Sequence, residues 1–333
     1  MSRWYQGNGN NSDVVMFSQV RLARNLADAP FPVRMSTELK KSVTKRLYAT
    51  IKSSYLANEF DLVSLQDVSR AKAMSYAEKG LISKAFAESK EPVAFLLSKN
   101  ENVSIMLCEE DHIRINSFAA GNDIYSAYEK ADKVDDIFID GQKIAFSQKL
   151  GFLTSSPINL GTGLRASFAL HLPGLTKKDA MYSLSSMVGK LGLSLREMYP
   201  SAAGDMYILS NQVSLGISEK SALDNLSAIC DQIIKQERAA RDMIKDDPEF
   251  EDRIYRTLGM MKMARKLEQK EFFDYMSLVR LGISLGYFDY SYETVGDMIY
   301  SLQDATLVDS AKAELNSSTC AKLRAQLVRE KLD

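Results

Sequence analysis

The chain is short of the residues from which most metal and disulfide chemistry is built. Its 333 residues include two histidines, His112 and His171, and three cysteines, Cys108, Cys230 and Cys320. Two histidines far apart in sequence argue against a histidine-built metal centre. Three widely spaced cysteines, odd in number and in no CxxC pair, leave no disulfide framework or zinc site and point to a reducing cytoplasm. An excess of one charge is also missing. Lys and Arg total 42 against 43 Asp and Glu, so no global field draws the chain to nucleic acid or to an anionic membrane. No apolar run is long enough to cross a bilayer, and the opening residues, MSRWYQGNGNNSD, lack the apolar core of a secretion signal. These absences predict a cytoplasmic protein with neither nucleic-acid nor membrane partners. The length suits two domains, or one large domain with a helical appendix. A hydrophobic share of 45% with 26% charged residues is ordinary for a globular chain.

One stretch stands out. Residues 151–167 place a hydroxyl pair (Ser155, Ser156), a proline turn, a Gly161-Thr162-Gly163 corner and Arg165 within one short run. Glycines let backbone approach a ligand closely, as phosphate-binding loops require. Arginine offers a planar, charged fork for phosphate or carboxylate. On local chemistry alone a tight surface turn with one solvated arginine ranks first, because short glycine motifs recur by chance.

Around that stretch, residues 1–12 read as a loose polar tail. From Asp13 an apolar strand turns into a segment carrying Arg21 and Arg24, which reads either as a strand with two exposed arginines or as a basic rim over a nucleotide. Residues 37–57 predict an amphipathic helix with Leu39, Val43, Leu47 and Ile51 at helical spacing, and a second helix is expected around 67–78. Residues 93–98, 103–107 and 113–117 predict antiparallel strands. Between the last two lie Glu109, Glu110 and Asp111, which repel one another unless a cation or donor sits among them; a solvated acidic turn is the plainer reading. A helix is expected over 122–136, capped by Asn122 or Asp123, and Asp140-Gly141 reads as a hairpin turn between 137–139 and 144–146. Thr176 to Asp179 reads as a capping box, with strands at 191–198 and 206–211. Ser218 caps a long helix that Pro248 stops. Beyond it the chain is helical, with apolar stripes (Tyr255, Leu258, Met261; Leu278, Leu281, Leu285) typical of core or dimer seam. The stripes exceed what one short helical layer buries, which predicts a homodimer.

Three blocks carry a resemblance. Ser156-Pro157-Ile158-Asn159-Leu160-Gly161-Thr162, followed by Arg165-Ala166-Ser167, resembles the signature of the ATP:guanido phosphotransferases, normally Cys-Pro-Thr-Asn-Leu-Gly-Thr and then Arg-Ala-Ser. Cys108-Glu109-Glu110-Asp111-His112 with Arg114 is similar to that family's Asn-Glu-Glu-Asp-His-x-Arg, and the segment through Gln19 and Arg21 to its Ser-x-Arg-x-Arg. The resemblance implies an α+β fold, an antiparallel sheet flanked by helices, followed by a helical C-terminal domain. It implies ATP and Mg²⁺ as cofactors, with Arg21, Arg114, Arg165 and Arg196 on the triphosphate. It implies Glu110 as the catalytic carboxylate facing a guanidinium, Ser156 beside it, and His112 as a structural residue. Motifs begin within 20 residues of the start and the extra helices follow them. That order resembles the protein-arginine-kinase branch, as do Leu215-Gly216-Ile217-Ser218-Glu219 and Val279-Arg280-Leu281-Gly282-Ile283. The domain reading is a tail at 1–12, a catalytic domain at 13–238 and a helical domain at 239–333.

For function the resemblance implies ATP-dependent phosphorylation of arginine side chains in proteins, marking them for Clp-dependent degradation. Its implied partners are protein substrates, an activator protein and the Clp protease system. Departures define an alternative. Gln19 replaces an arginine, Gly80 a nucleotide-contacting histidine and Ser156 the reactive cysteine, and the loop after Arg196 has no counterpart of the second catalytic glutamate. The alternative is an impaired pseudokinase acting as a nucleotide-binding or scaffolding dimer. In the C-terminal phosphoarginine pocket of the branch only Arg324 and Ala325 match, which puts phosphoarginine sensing there in doubt.

Overall fold

The computed structural model describes residues 3–332. In chain order the elements are β1 (Val15–Arg24), α1 (Thr37–Lys52), β2 (Phe60–Ser64), α2 (Arg70–Glu78), α3 (Lys84–Ala87), β3 (Ala94–Ser98), β4 (Val103–Leu107) and β5 (Ile113–Ala120). Then come α4 (Ile124–Gly141), β6 (Phe146–Ser147), β7 (Gly151–Phe152), β8 (Leu164–His171), α5 (Pro173–Lys177), α6 (Met181–Lys190), β9 (Leu193–Glu197) and β10 (Met206–Asn211). The rest is helical: α7 (Glu219–Lys245), α8 (Pro248–Met263), α9 (Gln269–Ser284), α10 (Tyr292–Ser301), α11 (Asp304–Ala311) and α12 (Ser317–Leu332). Eight strands form one sheet in the order β2-β3-β4-β5-β1-β8-β10-β9, every neighbouring pair antiparallel. This is the α+β class expected from the sequence.

Alternation along the strands separates two faces. Val20 and Leu22 of β1 share one face with Ile115, Leu164, Ala166 and Phe168, and α1, α4, α6 and α7 close the larger core over them. On the other face Phe17, Phe118 and Ala169 meet the C-terminal helices, where Phe272, Phe273, Met276, Met298 and Tyr300 complete a second core. Those helices cover one end of this face. Its other end, made by the same three central strands, carries Arg21, Arg114 and Arg165.

Several local expectations change, each because packing outweighs a local signal. The amino-terminal segment is docked: Trp4 is buried and stacks on Phe118 with ring centroids 4.7 Å apart; residues 1 and 2 of the expected tail lie outside the described residues. The helix expected over 37–57 ends at Lys52. Asp140-Gly141 is no hairpin turn, because α4 runs on to Gly141 and buries Phe138 below Val134 and Ala131 at helical spacing. Thr176 caps nothing; it lies within α5 with its hydroxyl on Leu172 O at 2.8 Å, and α6 starts later without a side-chain cap. Asp123 and Ser218 do cap α4 and α7. Pro248 stands at the start of α8, behind the capping carboxylate of Asp247. Met261, Leu278 and Leu281 of the apolar stripes are buried within the chain, so those stripes no longer require a second copy to cover them.

Candidate active site

The site begins with cross-strand register. Arg21 on β1 lies directly opposite Arg165 on β8 and opposite Asn116 on β5. Arg114 pairs with Ala23, two residues along from Arg21, so alternation puts all three arginines on one face. Arg196 on the edge strand β9 pairs with Ile208, which pairs with Ala169, four residues from Arg165 and on the same face. Between these rows a polar floor of Gln19, Ser167, Ser210 and Ser194 crosses four strands.

The arginines are sparsely neutralised. Arg114 donates to Glu109 Oε2 at 2.6 Å, and Arg165 donates to the Asn211 carbonyl at 2.5 Å. Arg21 and Arg196 make no hydrogen bond or ion pair with any described residue, and Arg21 Nε is buried without a partner. Burial, then the charges of Arg114, Arg165 and Arg196, pull the Arg21 guanidinium down to about 9. Burial and the same neighbours, Arg196 and Arg114, lower Arg165. A gathering of like charges with an unpaired donor at its centre is a site shaped for an anion.

A cleft of about 170 Å³ joins this cluster to the carboxylates, with Arg21, Arg114, Arg165, Glu110, Ser156 and Asn159 among its lining. The fold thus brings together five of the six residues singled out by sequence, and Arg196 flanks them on the sheet edge. Glu110 is exposed at the cleft; burial of its carboxyl, with Asp111 and Glu109 nearby, raises its pKa against the pull of Arg114.

The two walls of the cleft are tied together by Ser155, Asp111 and Asn25. Ser155 N donates to Asp111 Oδ1 at 2.7 Å, and Ser155 Oγ to the Glu110 carbonyl at 2.7 Å. Asn25 donates to Asp111 Oδ1 at 2.6 Å and to the Leu153 carbonyl at 3.0 Å, while its own oxygen accepts from His112 N at 2.9 Å. His112 is therefore a buried structural group, its pKa lowered by burial. On the other wall Ser83 Oγ donates to Glu109, and Glu109 in turn holds Arg114. The signal for these residues was present in the acidic block and in Ser155, but their partners are distant in sequence.

Arg24 separates from Arg21. Three residues apart on a strand, they face opposite ways. Arg24 is buried against Asp135 (2.7 Å), lies 3.5 Å from the Phe152 ring and donates to the Thr162 carbonyl at 2.8 Å. The expectation of a basic rim holding both arginines is corrected accordingly. Arg24 instead fixes the Gly-Thr-Gly corner, where Gly163 has φ +63° and a Cβ would come 2.5 Å from Arg24 Nη1.

The departures from the family pattern have definite places. Ser156 precedes the short 3-10 turn Pro157–Asn159 but its hydroxyl caps nothing, so it faces the cleft without a bond to any described residue. Gly80 follows α2 with φ +71°. The connection from β9 to β10 folds as the 3-10 segment Pro200–Asp205 against α9, with Tyr199 stacked on Phe273 at 4.1 Å and Gly204 N donating to Asp274 at 3.0 Å. Glu197 sits on the face opposite Arg196 by alternation. Far away, Arg324 is buried and donates to the carbonyls of Leu302 (2.7 Å) and Leu267 (2.8 Å) and to Asp304.

Sheet, helices and arginine cluster define a phosphotransferase architecture, and comparison with known proteins agrees. The model of the ATP:guanido phosphotransferase C-terminal catalytic domain matches residues 40–240, and that of the protein-arginine kinase McsB C-terminal domain matches residues 247–333. A protein-arginine kinase of Clostridium acetobutylicum is 34% identical over 339 residues, covering 100% of both chains. One of Brevibacillus brevis is 36% identical, covering 99% of this chain and 95% of its own. Among solved structures, the duplicated taurocyamine kinase of Schistosoma mansoni matches with a TM-score of 0.64 at 20% identity, over 80% of this chain and 40% of that longer one. A lombricine kinase matches with a TM-score of 0.60, also at 20% identity, over 70% and 68%; these two show the fold. The chain belongs to the ATP:guanido phosphotransferase family, in its protein-arginine kinase branch. It is a kinase by kinship, and the curated relatives of its branch are named protein-arginine kinases.

Proposed function

We propose that the chain transfers a phosphoryl group from ATP to arginine side chains of proteins in the cleft between Glu110, Ser156 and the arginine cluster. The observation that supports this most is the unpaired, buried Nε of Arg21 amid three other guanidiniums. Such a cluster is relieved by a polyanion, and a triphosphate has the charge and the acceptor oxygens to do it. In this reading Arg21, Arg114, Arg165 and Arg196 hold the triphosphate. Among the described residues no group of three His, Cys, Asp or Glu is placed to hold a metal ion, so Mg²⁺ enters with the nucleotide and supplies charge neutralisation there.

Phosphoryl transfer of this kind rests on positioning and electrostatics. Glu110 accepts hydrogen bonds from the target guanidinium and takes its proton as the guanidinium nitrogen bonds to the γ-phosphorus of ATP and the bond from that phosphorus to the bridging oxygen breaks, releasing ADP. A raised carboxyl pKa suits that role, since a stronger base accepts the proton more readily. Ser156 supplies a hydrogen bond and no charge, because a hydroxyl stays protonated at neutral pH. Incubation with Mg-ATP and an arginine-rich protein, followed by mass spectrometry that preserves the acid-labile N–P bond, tests the reading: phosphoarginine forms with the wild type and not with Glu110→Gln.

A second reading, a nucleotide-binding scaffold without turnover, is favoured by one observation: residues 198–204 contain no carboxylate and fold against α9. ATP binding with no phosphoarginine selects it. To the first reading belong a cytoplasmic setting, an activator protein and hand-over of the modified proteins to a Clp protease. A homodimer also belongs to it, through the exposed Tyr255, Met260 and Met263 of α8; a monomer by light scattering at micromolar concentration removes that part.

A further inference from the structure

An exposed apolar residue lines the cleft, and others stand on the segments bonded to its loop. Ile158 lines the cleft beside Ser156 and is 61% exposed. Val213 and Leu215, after β10, are 45% and 47% exposed. Their segment is fastened to the Ile158 loop, with Ser214 Oγ bonded to the carbonyls of Ile158 (2.9 Å) and Leu160 (2.8 Å) and Thr162 N donating to Ser214 O at 3.0 Å. Gly161 closes the junction, since a Cβ there would come 2.2 Å from Ser214 O. Behind Gly161 the β6–β7 hairpin, joined by Phe152 N donating to Gly161 O at 2.8 Å, exposes Phe146. The loop carrying Ile158 is thus bonded both to the segment 213–215 and to the hairpin, so the backbones that bear these apolar side chains are held in place. Neither 157–164 nor 212–218 contains a charged residue, so nothing on the rim itself favours a charged neighbour.

We propose that this rim docks the residues flanking the target arginine of a polypeptide and selects apolar ones. The inference rests on the reading above that arginines in proteins are the substrate. An arginine side chain inserted toward Glu110 and Ser156 leaves its backbone at the cleft mouth. Its sequence neighbours then lie over Ile158 and Leu215. Exposed apolar side chains on neighbouring bonded segments beside a polar cleft suit such a contact.

The test uses two fluorescein-labelled peptides, each with a single arginine, flanked on both sides by leucine in one and by serine in the other. Fluorescence anisotropy with the full-length chain reads their affinities, and mass spectrometry reads phosphoarginine on the same samples after Mg-ATP is added. The leucine-flanked peptide binds about tenfold tighter, roughly the worth of one buried aliphatic side chain. Val213→Ser with Leu215→Ser brings the ratio close to one while leaving the serine-flanked affinity unchanged. Equal affinities in the wild type overturn the proposal, as does loss of both affinities by the same factor in the variant. A leucine preference without any phosphoarginine supports the rim and overturns the kinase reading, so the two failures are distinguishable.

Discussion

The chain sets arginines in contrasting surroundings. Arg24, Arg241 and Arg324 are each sunk into the fold with an internal anion and carbonyl acceptors: Asp135 for Arg24, Asp304 for Arg324, and for Arg241 Glu237 at 2.7 Å with the carbonyls of Asp13 (3.0 Å) and His171 (2.9 Å). Arg21, Arg165 and Arg196 gather on one sheet face with no carboxylate partner of their own. The first kind is compensated by the protein and serves the fold. The second is left uncompensated, and it is sustained because one end of that face is open to solvent while the C-terminal helices dry the other.

Breaking a compensated arginine gives the largest effect. Arg24→Ala strands the buried Asp135, whose carboxyl burial already raises, and costs about 3–5 kcal/mol. Urea unfolding reads this; a loss below about 1 kcal/mol means the pair is dispensable. Arg165→Ala, by contrast, changes stability by no more than about 1 kcal/mol, since relief of repulsion offsets a single lost hydrogen bond.

Removing the charge that faces the guanidinium comes next. Glu110→Gln lowers phosphoarginine formation at least about a hundredfold, with ATP affinity unchanged because Glu110 is not among the cations. Retained turnover in this variant moves the proton-accepting role elsewhere. The smallest effect sharpens the comparison from the anionic side. Ser156→Cys places a thiol near the arginine cluster, whose field favours the thiolate, and raises the rate several-fold, up to about tenfold. A variant that still binds ATP but stays silent shifts the weight to the missing carboxylate after Arg196.

Much of this was legible in the sequence where signals are local. The strands through Val103–Leu107 and Ile113–Ala120 and the Ser218-capped helix follow from pattern alone. The convergence of Glu110, Ser156, Arg21, Arg114 and Arg165 followed from motifs whose spacing the sheet register honours. Illegible were features decided by partners far along the chain. Gly141 ends a helix because Phe138 has a core to fill, which no dipeptide signal conveys. Trp4 is core because Phe118 and Tyr300 receive it. By composition Arg21 and Arg24 read alike as basic residues, and strand alternation with Asp135 on α4 gives the physical reason they part. The C-terminal stripes looked surplus because the sheet face that buries them lies in another part of the sequence.

The central claim, that the uncompensated cluster is a triphosphate site, is tested most directly by calorimetric titration of the chain with Mg-ATP at low and physiological ionic strength, for the wild type and Arg165→Ala. The account predicts saturable binding that weakens with salt and weakens about tenfold or more in the variant. No binding by the wild type, or binding indifferent to both salt and Arg165, would contradict it.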